Sequence, residues 1–242
     1  MSRRSFALLG AGEFERWHDD VDEWLLGRAG GSGRVLVLPT ASAPEGDDVF
    51  DRWGGMGLEH YGRLGVDVEV MPLKTREDAE RADVVDRLAD ASMVFLSGGN
   101  PWYLATVLKG SAFCRAMFER IDEGMAYAGC SAGVACLTER TYDSDTQDFE
   151  QVFKPGLGYV KRALFGPHWD IVDTWIPGAT ELIVSTVLDG EVFVGIDERT
   201  AMVGDGADWR VTGAARVHVR REGEWTRAGE GTTLTLPLEI GP

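Results

Sequence analysis

The chain has 242 residues, 44% of them apolar and 26% charged, enough to bury an ordinary core without disulfide or metal staples. Its 40 acidic against 24 basic residues give a formal net charge of −16. That balance argues against nucleic acid and anionic membrane surfaces as partners, because both bind through neutralised phosphates.

The start "MSRRSFALLGAGEF" carries too short an apolar run for a signal sequence or a membrane span, and reads as a first buried strand. Further along, 35–38, 68–71, 93–96 and 125–128 are short apolar runs of the same kind, most of them closing on Gly or Pro. Between them, Trp17, Val21, Trp24 and Leu25 repeat at helical spacing, as do Ala82, Val85 and Leu88, and Phe113, Met117 and Ile121. Strand–helix alternation at this pace predicts βαβ units and a mainly parallel sheet covered on both faces. From Val192 the pattern turns to strand after strand, "VFVGI", "TAMVG", "WRVTG", "ARVHVRREGEW" and "TTLTL", expected as antiparallel strands on one edge or in a β-rich tail. "GRAGGSGR" and "SAPEGDD" read as connectors. The expectation is one α/β domain over 1–242, with a βα core over 1–190 and a β-rich extension over 191–242. The three cysteines, Cys114, Cys130 and Cys136, make no paired framework and fit a reducing compartment, so the cytoplasm is the expected location.

Ligands of open α/β sheets bind beyond the carboxyl ends of the strands. Three unusual segments fall at such ends: "GAGEF", "SGGNPW" and "GCSAG". The last has the form of a nucleophile elbow, a strand turning sharply into a helix with small residues two before and two after the reactive side chain. Ser131 has glycine at both positions, Gly129 and Gly133, whereas Cys130 has alanine, so Ser131 fits better. Bare backbone at Gly98 and Gly99, with the Ala132 N–H, would receive an oxyanion. Of the four histidines, His18 and His60 read as surface residues and His218 as a strand residue. His168 in "LFGPHWD" follows an apolar run and a Gly-Pro turn, the position from which a base is presented.

The segments "GAGEF", "LPTASA", "FLSGGNPWYL", "AGCSAGVACL", "PGLGYV", "GPHWD" and "GIDERTAMV", in this order, resemble the dipeptidase E and cyanophycinase serine peptidases. The resemblance implies a flavodoxin-like three-layer α/β/α fold of the class I glutamine amidotransferase type, with a mainly parallel sheet and C-terminal antiparallel strands. It also implies Ser131 as nucleophile, His168 as base, and Gly98, Gly99 and Ala132 as the oxyanion hole. Asn100 falls in the same motif. Together with Trp102 and Trp169, in the same segments, it is expected at the substrate. The acid is sought between serine and histidine, in "RTYDSDTQDFEQ". Asp145 is preferred there, with Asp143, Asp148 and Glu150 as competitors, and Asp170, two residues after the histidine, follows the amidotransferase precedent.

The resemblance further implies aspartyl peptides as substrates, which need a cation for the substrate carboxylate. No basic residue follows His168 in "HWDIVDTWIPGATELIVS", leaving Arg140, Lys161 and Arg162 as candidates. No two histidines or cysteines sit at ligand spacing apart from Cys130 and Cys136, which lack partners, so neither a metal nor another cofactor is expected, and "GAGEFE" lacks the third glycine of a dinucleotide site. The sequence therefore predicts a serine hydrolase, monomeric or homodimeric, acting on a small peptide or amide. Two rivals remain: an amidotransferase-like enzyme using Cys130, and a ligand-binding descendant that keeps only the cleft.

Overall fold

The computed structural model describes residues 4–146 and 151–241. The five early apolar runs form β1 (Phe6–Leu9), β2 (Val35–Leu38), β3 (Val68–Val70), β4 (Met93–Leu96) and β5 (Ala126–Cys130). They lie parallel in the order β3-β2-β4-β5-β1. β1, β2, β4 and β5 are buried on both faces, with alternate side chains pointing to opposite sides, while the edge strand β3 is half-buried. Phe6, Leu8, Leu36 and Leu38 enter one apolar cluster, while Ala7, Leu9, Val35 and Val37 enter the other. On the second face lie α1 (Asp19–Leu26) and α2 (Asp47–Arg63), through Val21, Leu25 and Tyr61. On the first lie α3 (Ala82–Val85), α4 (Pro101–Leu108) and α5 (Ala112–Glu123), through Val84, Leu104, Phe113 and Met117. This is the three-layer α/β/α arrangement with a mainly parallel core.

After β5 the chain turns directly into the one-turn helix α6 (Ala132–Ala135). An antiparallel pair follows, β6 (Arg140–Tyr142) with β7 (Phe153–Pro155), and then β8 (Val160–Lys161) and β9 (Ala163–Pro167). Two short helices, α7 (Val172–Trp175) and α8 (Ala179–Ser185), precede the late strands. These are β10 (Val192–Ile196), β11 (Thr200–Gly204), β12 (Asp208–Gly213), β13 (Val217–Arg221), β14 (Glu224–Ala228), β15 (Thr233–Thr235) and β16 (Glu239–Ile240).

The late strands do not make one edge or one tail. β11, β12 and β15 continue the first sheet antiparallel from β1, to eight strands, whereas β10, β13 and β14 join β9 in a second sheet of order β14-β13-β10-β9. The two sheets meet at the end of β1. A Cβ on Gly10 would lie 2.1 Å from the carbonyl oxygen of Asp197, so only glycine lets the β10–β11 turn come down on the first strand end.

A second departure is α2, which occupies a stretch whose glycines had concealed a helix. Gly54 and Gly57 face the sheet, where an added Cβ would meet the Val70 and Val37 methyls at 2.8 and 2.9 Å. Close helix–sheet packing there outweighs the low helix propensity of glycine.

Candidate active site

Ser131 sits one residue past β5 with φ 50° and ψ −105°, a backbone region that side chains rarely adopt and that marks functional strain. The flanking glycines are required by contact. A Cβ on Gly129 would lie 2.6 Å from the Gly133 carbonyl oxygen, and one on Gly133 would lie 2.2 Å from that of Leu96. The Tyr127 hydroxyl, donating to the Gly133 carbonyl, pins the first turn of α6 from the strand before it. Cys130 points to the opposite side, where its Sγ donates to Glu13 Oε2 at 3.0 Å. Burial first, and then the Glu13 carboxylate, push its thiol well above the ordinary range, so it stays protonated and is no nucleophile at neutral pH.

His168 emerges one residue past β9 and Glu198 two residues past β10. These strands are parallel neighbours in a register that pairs Pro167 with Ile196, so the two side chains leave the sheet together. His168 Nε2 lies 2.9 Å from Ser131 Oγ, and its Nδ1 lies 2.9 Å from Glu198 Oε1. A carboxylate can only accept, so Nδ1 carries the proton and Nε2 is left to accept from the serine hydroxyl.

The acid facing His168 is therefore none of those sought in the sequence. Asp145 instead accepts from Asn100 Nδ2 through Oδ2, as does Asp143 through Oδ1, each at 2.8 Å. Asp170 supports Glu198 from behind, its Oδ1 accepting the Glu198 backbone N–H at 2.9 Å. Asp148 and Glu150 lie outside the described residues. The search between serine and histidine missed Glu198, although it stands in "GIDERTAMV" just past an apolar strand.

Of the three expected oxyanion donors, Gly98 is already committed, its N–H donating to Glu13 Oε1 at 2.8 Å. Gly99 (φ 134°) lines the cavity beside Ser131. Its Cβ would fall 2.4 Å from the Ala41 carbonyl group, which ties the GGN loop to glycine. The amides of Gly99 and Ala132 take no acceptor among the described residues, as an oxyanion hole requires before substrate arrives.

The three expected substrate contacts are placed elsewhere. Asn100 caps α4, its Oδ1 accepting from the N–H groups of Trp102 and Tyr103, and its amide nitrogen is spent on the two aspartates. Trp102 lies under the Lys154 ammonium. Trp169 is packed onto the second sheet against Phe193 and Trp225, over Gly195. Trp175 does line the cavity, its ring 5.0 Å from that of His168. Among the candidate cations, Arg140 pairs with Glu191 at 2.6 Å, and Lys161 and Arg162 border a different groove.

His18 and His60 are not at the surface. Both are buried against the Asp22 carboxylate, which also accepts from the Tyr61 hydroxyl at 3.1 Å. Their donor atoms and Asp22 stand close enough to share a cation, which spacing in the sequence did not reveal. However, Arg63 donates to His60 Nδ1, so Nε2 carries the proton that Asp22 accepts at 2.7 Å. The group is a hydrogen-bonding hub between α1 and α2.

A hydroxyl, an imidazole and a carboxylate in line where the strand ends of two sheets meet define a hydrolase-type site. The chain belongs to peptidase family S51, whose model matches residues 6–212. A cyanophycinase of Nostoc sp. is 25% identical over 95% of this chain and 77% of its own. One of Synechococcus elongatus is 30% identical over 46% of this chain and 34% of its own. Among solved structures, a peptidase from an acI-B1 actinobacterium superposes with a TM-score of 0.88 at 27% identity, covering 96% of this chain and 97% of that one. A peptidase E-type protein of Listeria monocytogenes shares the fold, with a TM-score of 0.58 at 17% identity, covering 93% of this chain and 98% of that one.

Proposed function

We propose that the protein is a serine peptidase that cleaves short peptides or amides through Ser131, His168 and Glu198. The observation that carries this reading is the unbroken line from the Ser131 hydroxyl to Nε2 and from Nδ1 to the Glu198 carboxylate, at 2.9 Å on each side. As Ser131 Oγ attacks the carbonyl carbon, its proton passes to His168 Nε2, and Glu198 stabilises the imidazolium. The tetrahedral oxygen is received by the Gly99 and Ala132 amides. Collapse breaks the C–N bond, and the imidazolium proton leaves on the amine. Water then repeats the sequence on the acyl-serine and restores the enzyme.

Relatives that carry the names cyanophycinase and peptidase E support amide hydrolysis as the reaction class. Three buried free cysteines fit a reducing setting such as the cytoplasm. No helix among the described residues is long and apolar enough to cross a membrane. Replacing Ser131 by Ala is expected to remove turnover of a dipeptide and aminoacyl-anilide panel while the circular dichroism spectrum stays unchanged. Appreciable turnover by the folded variant would contradict the proposal.

A further inference from the structure

Beside Ser131 and His168 lies a cavity of about 460 Å³, large enough for more than one side chain of a short peptide. Phe153 of β7, Leu164 and Phe165 of β9, and Val172, Trp175 and Ile183 of α7 and α8 are among the residues of its wall. No Lys or Arg is among the described residues lining it. The nearby cations are engaged elsewhere: Arg140 by Glu191 and by the Phe153 ring, and Lys154 by the Trp102 ring.

Asp143 is the one carboxylate among those lining residues. Its Oδ1 is taken by Asn100 Nδ2 and by the Asp145 N–H, while Oδ2 has no partner among the described residues. A substrate carboxylate entering this space would lose its water without gaining a cation, and would face Asp143 as a like charge. An apolar side chain loses nothing by entering. An ammonium on the same substrate would find the open oxygen of Asp143.

Building on the serine-peptidase reading, we infer that the preferred substrates are short peptides whose N-terminal residue is large and apolar, with a free α-amino group. That residue's side chain fills the cavity, its ammonium pairs with Asp143, and its carbonyl is the one Ser131 attacks.

The test is kcat/KM for leucyl-, phenylalanyl- and aspartyl-p-nitroanilide, with N-acetyl-leucyl-p-nitroanilide alongside, on the full chain. The leucyl and phenylalanyl substrates are expected to exceed the aspartyl one by about 10²-fold or more, the range in which pocket chemistry discriminates. Acetylation is expected to raise KM in the wild type, and Asp143→Asn to remove most of that difference. Ile183→Lys, which places a cation on the cavity wall, is expected to lower the leucyl-to-aspartyl ratio. Equal or preferred turnover of the aspartyl substrate, with Ser131 still phosphonylated by a fluorophosphonate, would overturn the substrate class and leave the peptidase reading standing. An acetylation effect that persists in Asp143→Asn would overturn the ammonium contact. No turnover and no phosphonylation would overturn the reading beneath both.

Discussion

A serine hydroxyl attacks a carbonyl only if its proton has a waiting acceptor, and at Ser131 that acceptor is set by a carboxylate two bonds of hydrogen away. Glu198 holds the proton of His168 on Nδ1 and so keeps Nε2 free. Glu198→Gln can support the wrong tautomer and gives up the charge that stabilises the imidazolium. Its kcat is expected to fall about 10²- to 10⁴-fold, while Asp145→Asn, whose carboxylate accepts from Asn100 and from no other of the described residues, stays near wild type. The reverse order in steady-state kinetics would move the acid to Asp145.

Cys130 and its neighbours give a second prediction. Burial drives the Cys114 thiol up to about 12 and raises Cys136 and Cys130 well above the ordinary thiol range, with Glu13 adding to Cys130. Iodoacetamide at pH 8 is expected to add no mass to the folded protein and three carbamidomethyl groups after denaturation. A rapid adduct on native Cys130 would show a reactive thiolate. Ser131 and His168 could be singled out in the sequence because each lies beside its own local signal, an elbow or a Gly-Pro turn. Glu198 could not, because the parallel pairing of β9 with β10, which no local pattern encodes, decides which acid meets the histidine.

The strands of the parallel core were legible for a simple reason: buried on both faces, they appear as unbroken apolar runs. α2 was hidden, because its helix–sheet contact is made by glycines whose value lies in what they leave out. Within that helix an added methyl has opposite effects at two positions. At Gly55 a Cβ meets nothing within 4 Å, so Gly55→Ala is expected to stabilise by about 0.5–1 kcal/mol through helix propensity. At Gly57 the methyl strikes Val37, and overpacking of about 1–3 kcal/mol outweighs that gain. Urea denaturation of the two variants checks the pair, and equal stabilisation by both would refute the packing account. His18 and His60 read as surface residues for the same reason that α2 was hidden: without the helix, nothing brought them to Asp22.

The molecule joins two sheets at one corner and places its reactive groups there. Ser131 comes from the first sheet, and His168 and Glu198 from the second. Glu13 bridges the GGN loop and β5 below them, and Asp197 holds His218 and the Arg216 N–H across the second sheet. Which sheet each late strand would join was not written in its alternation, since β12 and β13 alternate buried and less buried residues alike yet join different sheets. Away from this corner, the Asp22 hub ties α1 to α2 and makes global stability depend on pH. Burial raises the Asp22 pKa, but the imidazoles of His18 and His60 against its carboxylate outweigh it and leave it lowered. A depressed folded-state pKa contributes stability that is complete above the unfolded value of about 3.9 and is lost as pH falls through the folded one. Asp22→Asn is therefore expected to lower the melting temperature at pH 7, with the gap to wild type closing towards pH 3. A gap that does not change with pH would assign Asp22 a packing role alone.

The most direct test of the Ser131–His168–Glu198 assignment is the rate of phosphonylation by a fluorophosphonate, followed by intact mass. The account predicts one adduct on the wild type, none on Ser131→Ala, and an adduct on Glu198→Gln that forms at least about 10²-fold more slowly. An adduct on Ser131→Ala, an undiminished rate in Glu198→Gln, or an unreactive wild type would contradict it.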